Sequence, residues 1–184
     1  MEKGKTGSVR VVSTYHTLDE ASLCDCLLRV IDSTKEENLS KLRIYLAGPW
    51  FSPSANTFYD AVSQIEKNVR KNSFFKVYYP REQYNKTPRD AFVNNVKHIK
   101  DADIVVALVC EKDVGTAWEI GMAYALGKDV YLMGFDDTTF LSHTNVMLAF
   151  TGKCFTIHNW AKFLTKGLLE SDFVRIPNEW EGIE

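Results

Sequence analysis

Cysteine is scarce in this sequence, and the spacing of the cysteines matches no motif in which they act together. The 184 residues include four cysteines, with one C-x-C pair and no C-x-x-C. We therefore expect neither a zinc site nor a disulfide framework. A basic excess is missing too, because 22 lysines and arginines face 24 aspartates and glutamates. Proteins that bind nucleic acid duplexes need such an excess, so nucleic acid is not an expected partner.

Long apolar runs are also missing. No run approaches the roughly 20 residues of a membrane span. The polar first residues, MEKGKTG, contain no apolar segment like that of a secretory signal. We therefore expect a cytoplasmic protein with no membrane partner.

Motifs of several common enzyme classes are absent. The sequence has no G-x-G-x-x-G after its first strand, no G-x-x-x-x-G-K-[ST] and no G-x-S-x-G. These absences argue against a dinucleotide site, a nucleoside triphosphate site and a serine hydrolase elbow. The four histidines do not pair at metal-ligand spacing, and we expect His98 on an exposed helix face. The side-chain carboxylates are therefore the best candidates for catalytic groups.

What the sequence does have is a regular alternation of short apolar runs and amphipathic segments. This pattern predicts βα units around a parallel sheet. The predicted fold class is α/β: a single doubly wound (Rossmann/flavodoxin-like) domain with a central parallel sheet of about five strands flanked by helices. Strands are predicted at 9–13, 42–47, 74–79, 103–109, 130–134 and 154–157, and helices at 18–32, 55–72, 89–100, 116–126 and 159–169.

A polar segment, STKEENLSK, ends at residue 41 and divides the chain. Residues 1–41 are predicted to form an N-terminal extension of one strand, one helix and a linker. Residues 42–170 are predicted to form the main domain. Residues 171–184 carry aromatic and charged residues without periodicity, and we interpret them as a C-terminal tail.

The predicted strand 103–109 leads into two carboxylates, Asp113 and Glu119. Its continuous apolar sequence suits a parallel strand covered on both faces, and such sheets bind ligands at the carboxyl ends of their strands. Two carboxylates at that edge suit glycosyl transfer, in which one attacks the anomeric carbon and the other handles a proton. A purely structural interpretation stands beside this one, because Thr116 and Glu119 also fit a capping box.

Two further loops follow predicted strands at the same edge. Gly48 allows the backbone to approach a ligand, and Trp50 and Phe51 offer flat faces for a planar base. Both aromatic side chains could equally pack beneath the loop. Gln83 follows the strand 74–79, where its amide could contact a base or simply belong to a polar loop.

Three segments together resemble the nucleoside 2-deoxyribosyltransferase family, whose members exchange bases on 2'-deoxyribose. IYLAGPWF (44–51) is similar to the family's first strand and turn, IKDADIVVA (99–107) to its central strand and DVGTAWEIGMAYALGK (113–128) to its nucleophile helix. The resemblance covers roughly residues 42–150. It implies a transferase of nucleotide salvage that acts on a 2'-deoxynucleoside and a free nucleobase, with no metal or cofactor.

The resemblance also implies roles for individual residues. Glu119 would be the nucleophile, Asp113 would protonate the departing base and Tyr45 would orient Glu119. Some relatives have an aspartate that contacts the base where this sequence has Asn95, and relatives that favour purines have an asparagine there. An amide can orient a base but cannot protonate it near neutral pH.

A homo-oligomer follows from the same resemblance. Asn145 and Met147 match a family segment that reaches into the active site of the neighbouring subunit. The implied substrate-binding residues are Ala47, Gly48, Trp50, Phe51, Gln83, Asn95, Gly115, Asn145 and Met147.

Two other functions remain open at the level of sequence. The first is a deoxynucleoside 5'-monophosphate N-glycosidase, in which water replaces the second base. Relatives of that kind have a phosphate loop rich in serine and arginine after the first strand; the loop here has no arginine, but Arg81 or Arg89 could reach a phosphate. The second is a non-catalytic nucleotide-binding module, against which the presence of both Asp113 and Glu119 argues.

Overall fold

The structure is a computed structural model that describes residues 41–49, 52–83, 86–136 and 145–176, with Val146 described by its backbone only. The predicted strand 9–13 and helix 18–32 lie outside the described residues.

The five described strands form one sheet in which every neighbouring pair is parallel. The strand order β2-β1-β3-β4-β5 is that of the doubly wound α/β fold, so the predicted fold class is confirmed. The strands are β1 (Leu42–Ala47), β2 (Phe75–Tyr78), β3 (Ile104–Leu108), β4 (Asp129–Gly134) and β5 (Lys153–Thr156).

Helices begin where the sequence supplies caps. Ser52 and Thr87 accept hydrogen bonds from backbone N–H groups at the starts of the first two helices, and a proline follows each of them. Asp90 completes a capping box with Thr87. The helices are α1 (Pro53–Val69), α2 (Pro88–Asp101), α3 (Val114–Ala125), α4 (Val146–Ala149) and α5 (Trp160–Lys166), with 3-10 turns at Pro80–Glu82, Ile157–Asn159 and Glu170–Asp172.

Side chains of β1 alternate between two buried layers. Ile44 and Leu46 belong to the core that packs under α1 and α5, whereas Tyr45 and Ala47 belong to the core under α2 and α3. All four are fully buried. The alternation of a strand therefore points Tyr45 towards the helices that carry Asn95 and Glu119.

Hydrogen bonds fix the helices over the sheet. On the first face, the Trp160 indole N–H donates to the Val62 carbonyl at 3.2 Å, which joins α5 to α1. On the second face, Lys128 follows α3 and its Nζ donates to the carbonyls of Lys100 and Ala102, both at 2.8 Å. Because these carbonyls lie at the end of α2, the contact holds α2 beside α3.

The carboxyl ends of β1 and β3 lie side by side, with Ala47 paired to Ala107. The loops that leave these strands, towards α1 and α3, therefore border one crevice. No described helix combines the length and the apolar character needed to cross a membrane.

Candidate active site

The start of α3 is capped by Asp113. Its Oδ2 accepts hydrogen bonds from the Thr116 backbone N–H at 2.5 Å and from Thr116 Oγ1 at 2.8 Å. The helix consequently begins at Val114, and the capping box that the sequence allows between Thr116 and Glu119 is wrong. Because Asp113 already satisfies the helix start, Glu119 is not tied to its own helix backbone.

Glu119 instead points inward, to side chains from two other elements. Its Oε1 accepts a hydrogen bond from the Tyr45 hydroxyl at 2.5 Å and one from Asn95 Nδ2 at 3.3 Å. The residue is 9% exposed. Among the described residues, nothing donates a hydrogen bond to Oε2. One carboxylate oxygen is thus held by two donors, and no described residue holds the other.

Burial sets the protonation of Glu119. Burial raises the pKa of this carboxyl and the negative charge of Asp113 adds to the rise, so that with all its contacts the pKa is about 7 instead of 4.5. The hydrogen bonds from Tyr45 and Asn95 pull the pKa down, because they stabilise the anion. Burial and the neighbouring Glu119 also raise the pKa of Tyr45, which keeps that hydroxyl a neutral donor.

An aromatic stack supports Tyr45 from behind. The Tyr78 ring lies 5.7 Å from the Tyr45 ring, and the His98 ring lies 3.6 Å from the Tyr78 ring. His98 is half-buried rather than exposed, because it covers Tyr78. Burial lowers the pKa of His98 and favours the neutral ring. No local pattern indicates this stack, since its members come from three separate elements.

Three small residues lie on the rim around Glu119. Ala47 and Gly48 are buried at the end of β1. Gly115 is exposed in the first turn of α3, where an added Cβ would lie 3.1 Å from Asp113 Oδ2. Of these three positions, only Gly115 presents exposed backbone beside a carboxylate.

Other predicted substrate-binding residues lie farther along the rim or outside it. Gln83 is exposed after β2, and its Nε2 makes a long contact of 3.5 Å with the Tyr79 carbonyl. Asn145 Oδ1 accepts a hydrogen bond from the Met147 N–H at 2.9 Å at the start of α4. Within one chain, neither Asn145 nor Met147 forms a described hydrogen bond to Glu119. Trp50 and Phe51 lie outside the described residues.

A second carboxylate cluster borders the same crevice and was not predicted. Glu111, in the loop between β3 and α3, accepts hydrogen bonds through Oε1 from the hydroxyls of Ser52 and Ser54. These hydroxyls lower the pKa of Glu111, which is fully exposed. The cluster joins residues from loops far apart in sequence, so only the pairing of β1 with β3 could have indicated it.

The chemical capacity of the site rests on carboxylates rather than on a metal cage. No group of three or more His, Cys, Asp or Glu side chains within the described ranges is arranged to hold a metal ion. A buried carboxylate with one oxygen that no described residue holds, beside a second carboxylate at the helix start, suits nucleophilic attack on a sugar with proton transfer.

Comparison with known proteins gives a consistent result. The family model for nucleoside 2-deoxyribosyltransferase matches residues 44–173. A 2-deoxyribosyltransferase structure from Bacillus psychrosaccharolyticus is 26% identical, with 69% of this chain and 99% of that chain covered and a TM-score of 0.51. One from Leishmania mexicana is 25% identical, with 52% and 65% covered and a TM-score of 0.44. The comparison with curated proteins found no match. Because the family model spans more than half of the sequence, this chain belongs to the nucleoside 2-deoxyribosyltransferase family.

Proposed function

We propose that this protein transfers the 2-deoxyribosyl group of a 2'-deoxynucleoside to a free nucleobase by a retaining double displacement, with Glu119 as the nucleophile. Family membership and the Bacillus structure indicate a nucleoside deoxyribosyltransferase-type enzyme. The observation that carries the finer proposal is the Glu119 carboxylate, which is buried and held through Oε1 by two neutral donors, while none of the described residues donates to Oε2.

In the first displacement, Glu119 Oε2 attacks C1' while the bond from C1' to the base nitrogen breaks. The electron pair of that bond leaves with the base, which takes up a proton. Positive charge develops on the sugar as the bonds exchange, and an ionised carboxylate in a poorly hydrated site stabilises that charge. The product is a covalent 2-deoxyribosyl enzyme.

In the second displacement, a nitrogen of the incoming base attacks C1' and the bond from C1' to Oε2 breaks. The incoming base loses a proton, and the Glu119 carboxylate is restored. Each displacement inverts C1', so the product keeps the configuration of the substrate. Tyr45 and Asn95 assist this step because their hydrogen bonds stabilise the returning anion.

Asp113 is the group that we assign to proton transfer. Its Oδ2 is occupied by the two hydrogen bonds of the helix cap. Its Oδ1 receives no hydrogen bond among the described residues and is therefore the oxygen available to carry a proton to the departing base. Asn95 cannot share this role, because an amide does not titrate near neutral pH.

The substrate would enter over the small residues of the rim. In this proposal, the lack of a side chain at Gly48 and Gly115 and the small side chain of Ala47 leave room for the sugar beside Glu119. The base would extend towards Gln83 and the aromatic residues Trp50 and Phe51.

A homo-oligomer with shared active sites is also part of the proposal. Met147 is 76% exposed, so its side chain is accessible to a neighbouring copy. Phe92 and Trp118 form a second exposed apolar contact, between α2 and α3, with ring centroids 5.5 Å apart. We propose that Asn145 and Met147 complete the site of a neighbouring copy.

Subunit mixing tests the shared site. A Glu119→Gln variant and an Asn145→Ala/Met147→Ala double variant should each have little activity alone. If each site combines two chains, an equal mixture of the two variants that re-associates at random should regain about a quarter of wild-type activity, because about a quarter of the sites are then intact. A monomer in light scattering, or an active double variant, would contradict the proposal.

The exchange assay tests the reaction itself. A 2'-deoxynucleoside is mixed with a different free base, and formation of the new deoxynucleoside is followed by chromatography for wild type, Glu119→Gln and the distant control Glu170→Gln. Wild type and the control should form the new nucleoside, and Glu119→Gln should not. Absence of exchange by wild type would end the transferase proposal.

The rival N-glycosidase is less well supported by the described contacts. The Arg81 guanidinium lies 4.7 Å from the centre of the Tyr59 ring and 3.8 Å from Asp60, both on α1. An arginine engaged in this way is poorly placed to hold a phosphate. Release of free sugar phosphate from a deoxynucleotide, without any acceptor base, would favour the rival.

A further inference from the structure

We propose that Glu111 selects nucleosides over nucleoside 5'-phosphates, because it holds a negative charge where the phosphate group of a nucleotide would approach. The inference rests on the proposed transferase function and adds to it a residue that determines specificity. The accepted donor would be an uncharged 2'-deoxynucleoside, and a phosphorylated donor would be disfavoured.

The first support is the position of Glu111. Its loop and the loop after β1 leave adjacent parallel strands, so both border the crevice that contains Glu119. Asp113 lies between the two glutamates in the sequence, and its charge raises the pKa of each of them. Glu111 therefore lies on the α1 side of the same crevice.

The second support is what the Glu111 carboxylate contacts. Ser52 and Ser54 both donate their hydroxyl hydrogens to Glu111 Oε1. Ser52 is also the N-cap of α1, a 17-residue helix that has no acidic residue in its own first turn. Hydroxyl groups at the positive start of a helix are the donors that a phosphate oxygen would need. Here a carboxylate of the same chain uses them.

The third support is the charge that a nucleotide would meet. A phosphate monoester carries a charge of about −1.5 to −2 at pH 7. It would displace the Glu111 carboxylate from both serines and remain close to its charge. Arg81, the first arginine after β2 in the sequence, contacts Tyr59 and Asp60, whereas Arg89 is exposed in the first turn of α2. Lys112 is the exposed cation within the Glu111 loop, and the test includes it.

The experiment compares kcat/KM for the preferred 2'-deoxynucleoside and for its own 5'-monophosphate. The variants are Glu111→Gln, Lys112→Gln and the control Glu170→Gln, whose exposed side chain lies beside Lys153 at the start of β5, at the opposite end of the sheet. Glu111→Gln keeps an oxygen for both serines and removes only the charge. It should raise the monophosphate value about tenfold and leave the nucleoside value within about twofold. The control should change neither value.

Several results would overturn the inference. One is a wild-type enzyme that uses the monophosphate as well as the nucleoside, particularly if Lys112→Gln abolishes that use. Another is a Glu111→Gln variant with an unchanged ratio of the two values, or with both values reduced equally. In each of these cases nucleoside exchange continues, so the transferase proposal survives. A different result would contradict the transferase proposal, namely a wild-type protein that exchanges no deoxynucleoside.

Discussion

Glu119 and Glu111 border the same crevice, and each is held through a single carboxylate oxygen by two side-chain donors. Their pKa values nevertheless move in opposite directions. Glu119 is buried, and its pKa rises to about 7; Glu111 is fully exposed, and its serine partners lower its pKa. At Glu119, burial raises the pKa by more than the hydrogen bonds lower it. At Glu111, the hydrogen bonds have the larger effect and the pKa falls.

This difference suits two different functions. A buried carboxylate can become a neutral ester and return to an anion with little rearrangement of water, as covalent glycosyl transfer requires. An exposed carboxylate with a low pKa remains charged throughout, so it can only attract or repel charged groups of a ligand that enters the site. In our proposal, Glu119 serves catalysis and Glu111 serves substrate selection.

Replacing each carboxylate by its amide gives the largest expected contrast. Glu119→Gln should lower exchange by about 10³-fold or more, because an amide cannot form the covalent intermediate. Glu111→Gln should keep nucleoside exchange within about twofold. Circular dichroism should show both variants folded, since the amide introduced by Glu119→Gln still offers an oxygen to Tyr45 and Asn95. Substantial exchange by Glu119→Gln would contradict the division of roles.

Asp113→Asn tests the two roles of this side chain separately, because asparagine can still cap the helix but cannot transfer a proton. Asparagine caps helices as well as aspartate does, so stability should change little. Activity on an ordinary deoxynucleoside should fall about 100-fold. Activity on an N7-methylated purine deoxynucleoside should fall far less, because its base departs without an added proton. Equal losses on both substrates would show that Asp113 does not supply the proton.

Removing one hydroxyl partner from each glutamate gives a smaller effect. The ionised Glu119 is the active form, so wild-type kcat/KM should fall about tenfold per pH unit below pH 7. Tyr45→Phe should move this acidic limb to higher pH, because the lost hydrogen bond no longer lowers the Glu119 pKa. Activity at pH 7 should drop about tenfold. Ser54→Ala should leave the pH profile of nucleoside exchange unchanged, and an equal shift in both variants would break the comparison.

Folding stability gives the smallest and most indirect test. The pKa of Glu119 is higher in the folded protein than its ordinary value of 4.5, so its favourable contribution is complete below about pH 4.5 and is lost as the pH rises to about 7. Glu119→Gln lacks this loss. The unfolding free energy of Glu119→Gln should therefore increase relative to that of wild type between about pH 4.5 and pH 7, by about 3 kcal/mol in total at pH 8. Denaturant unfolding at pH 5 and pH 8 measures it, and a pH-independent difference would contradict the raised pKa.

The sheet could be predicted from sequence because its signals are local. The apolar run of β3 is buried along its whole length. In β1, alternate side chains face opposite sides of the sheet, so Tyr45 lies on the other face from Ile44 and Leu46. The start of α3 could not be predicted in the same way, because its cap is Asp113 and not Thr116. Glu119 instead accepts a hydrogen bond from Tyr45, which lies 74 residues earlier in the sequence. The Glu111 cluster was missed for a similar reason, since its serines lie 57 and 59 residues away.

The covalent intermediate offers the most direct test of Glu119 as nucleophile. Wild-type protein is mixed with a 2'-deoxynucleoside in the absence of acceptor base, quenched in acid and measured as intact protein by mass spectrometry, followed by peptide mapping. We predict a mass increase of one 2-deoxyribosyl group on the peptide that contains Glu119, and no increase in Glu119→Gln. Efficient exchange by wild type with no adduct under any quench time, or an adduct on another residue, would contradict the account.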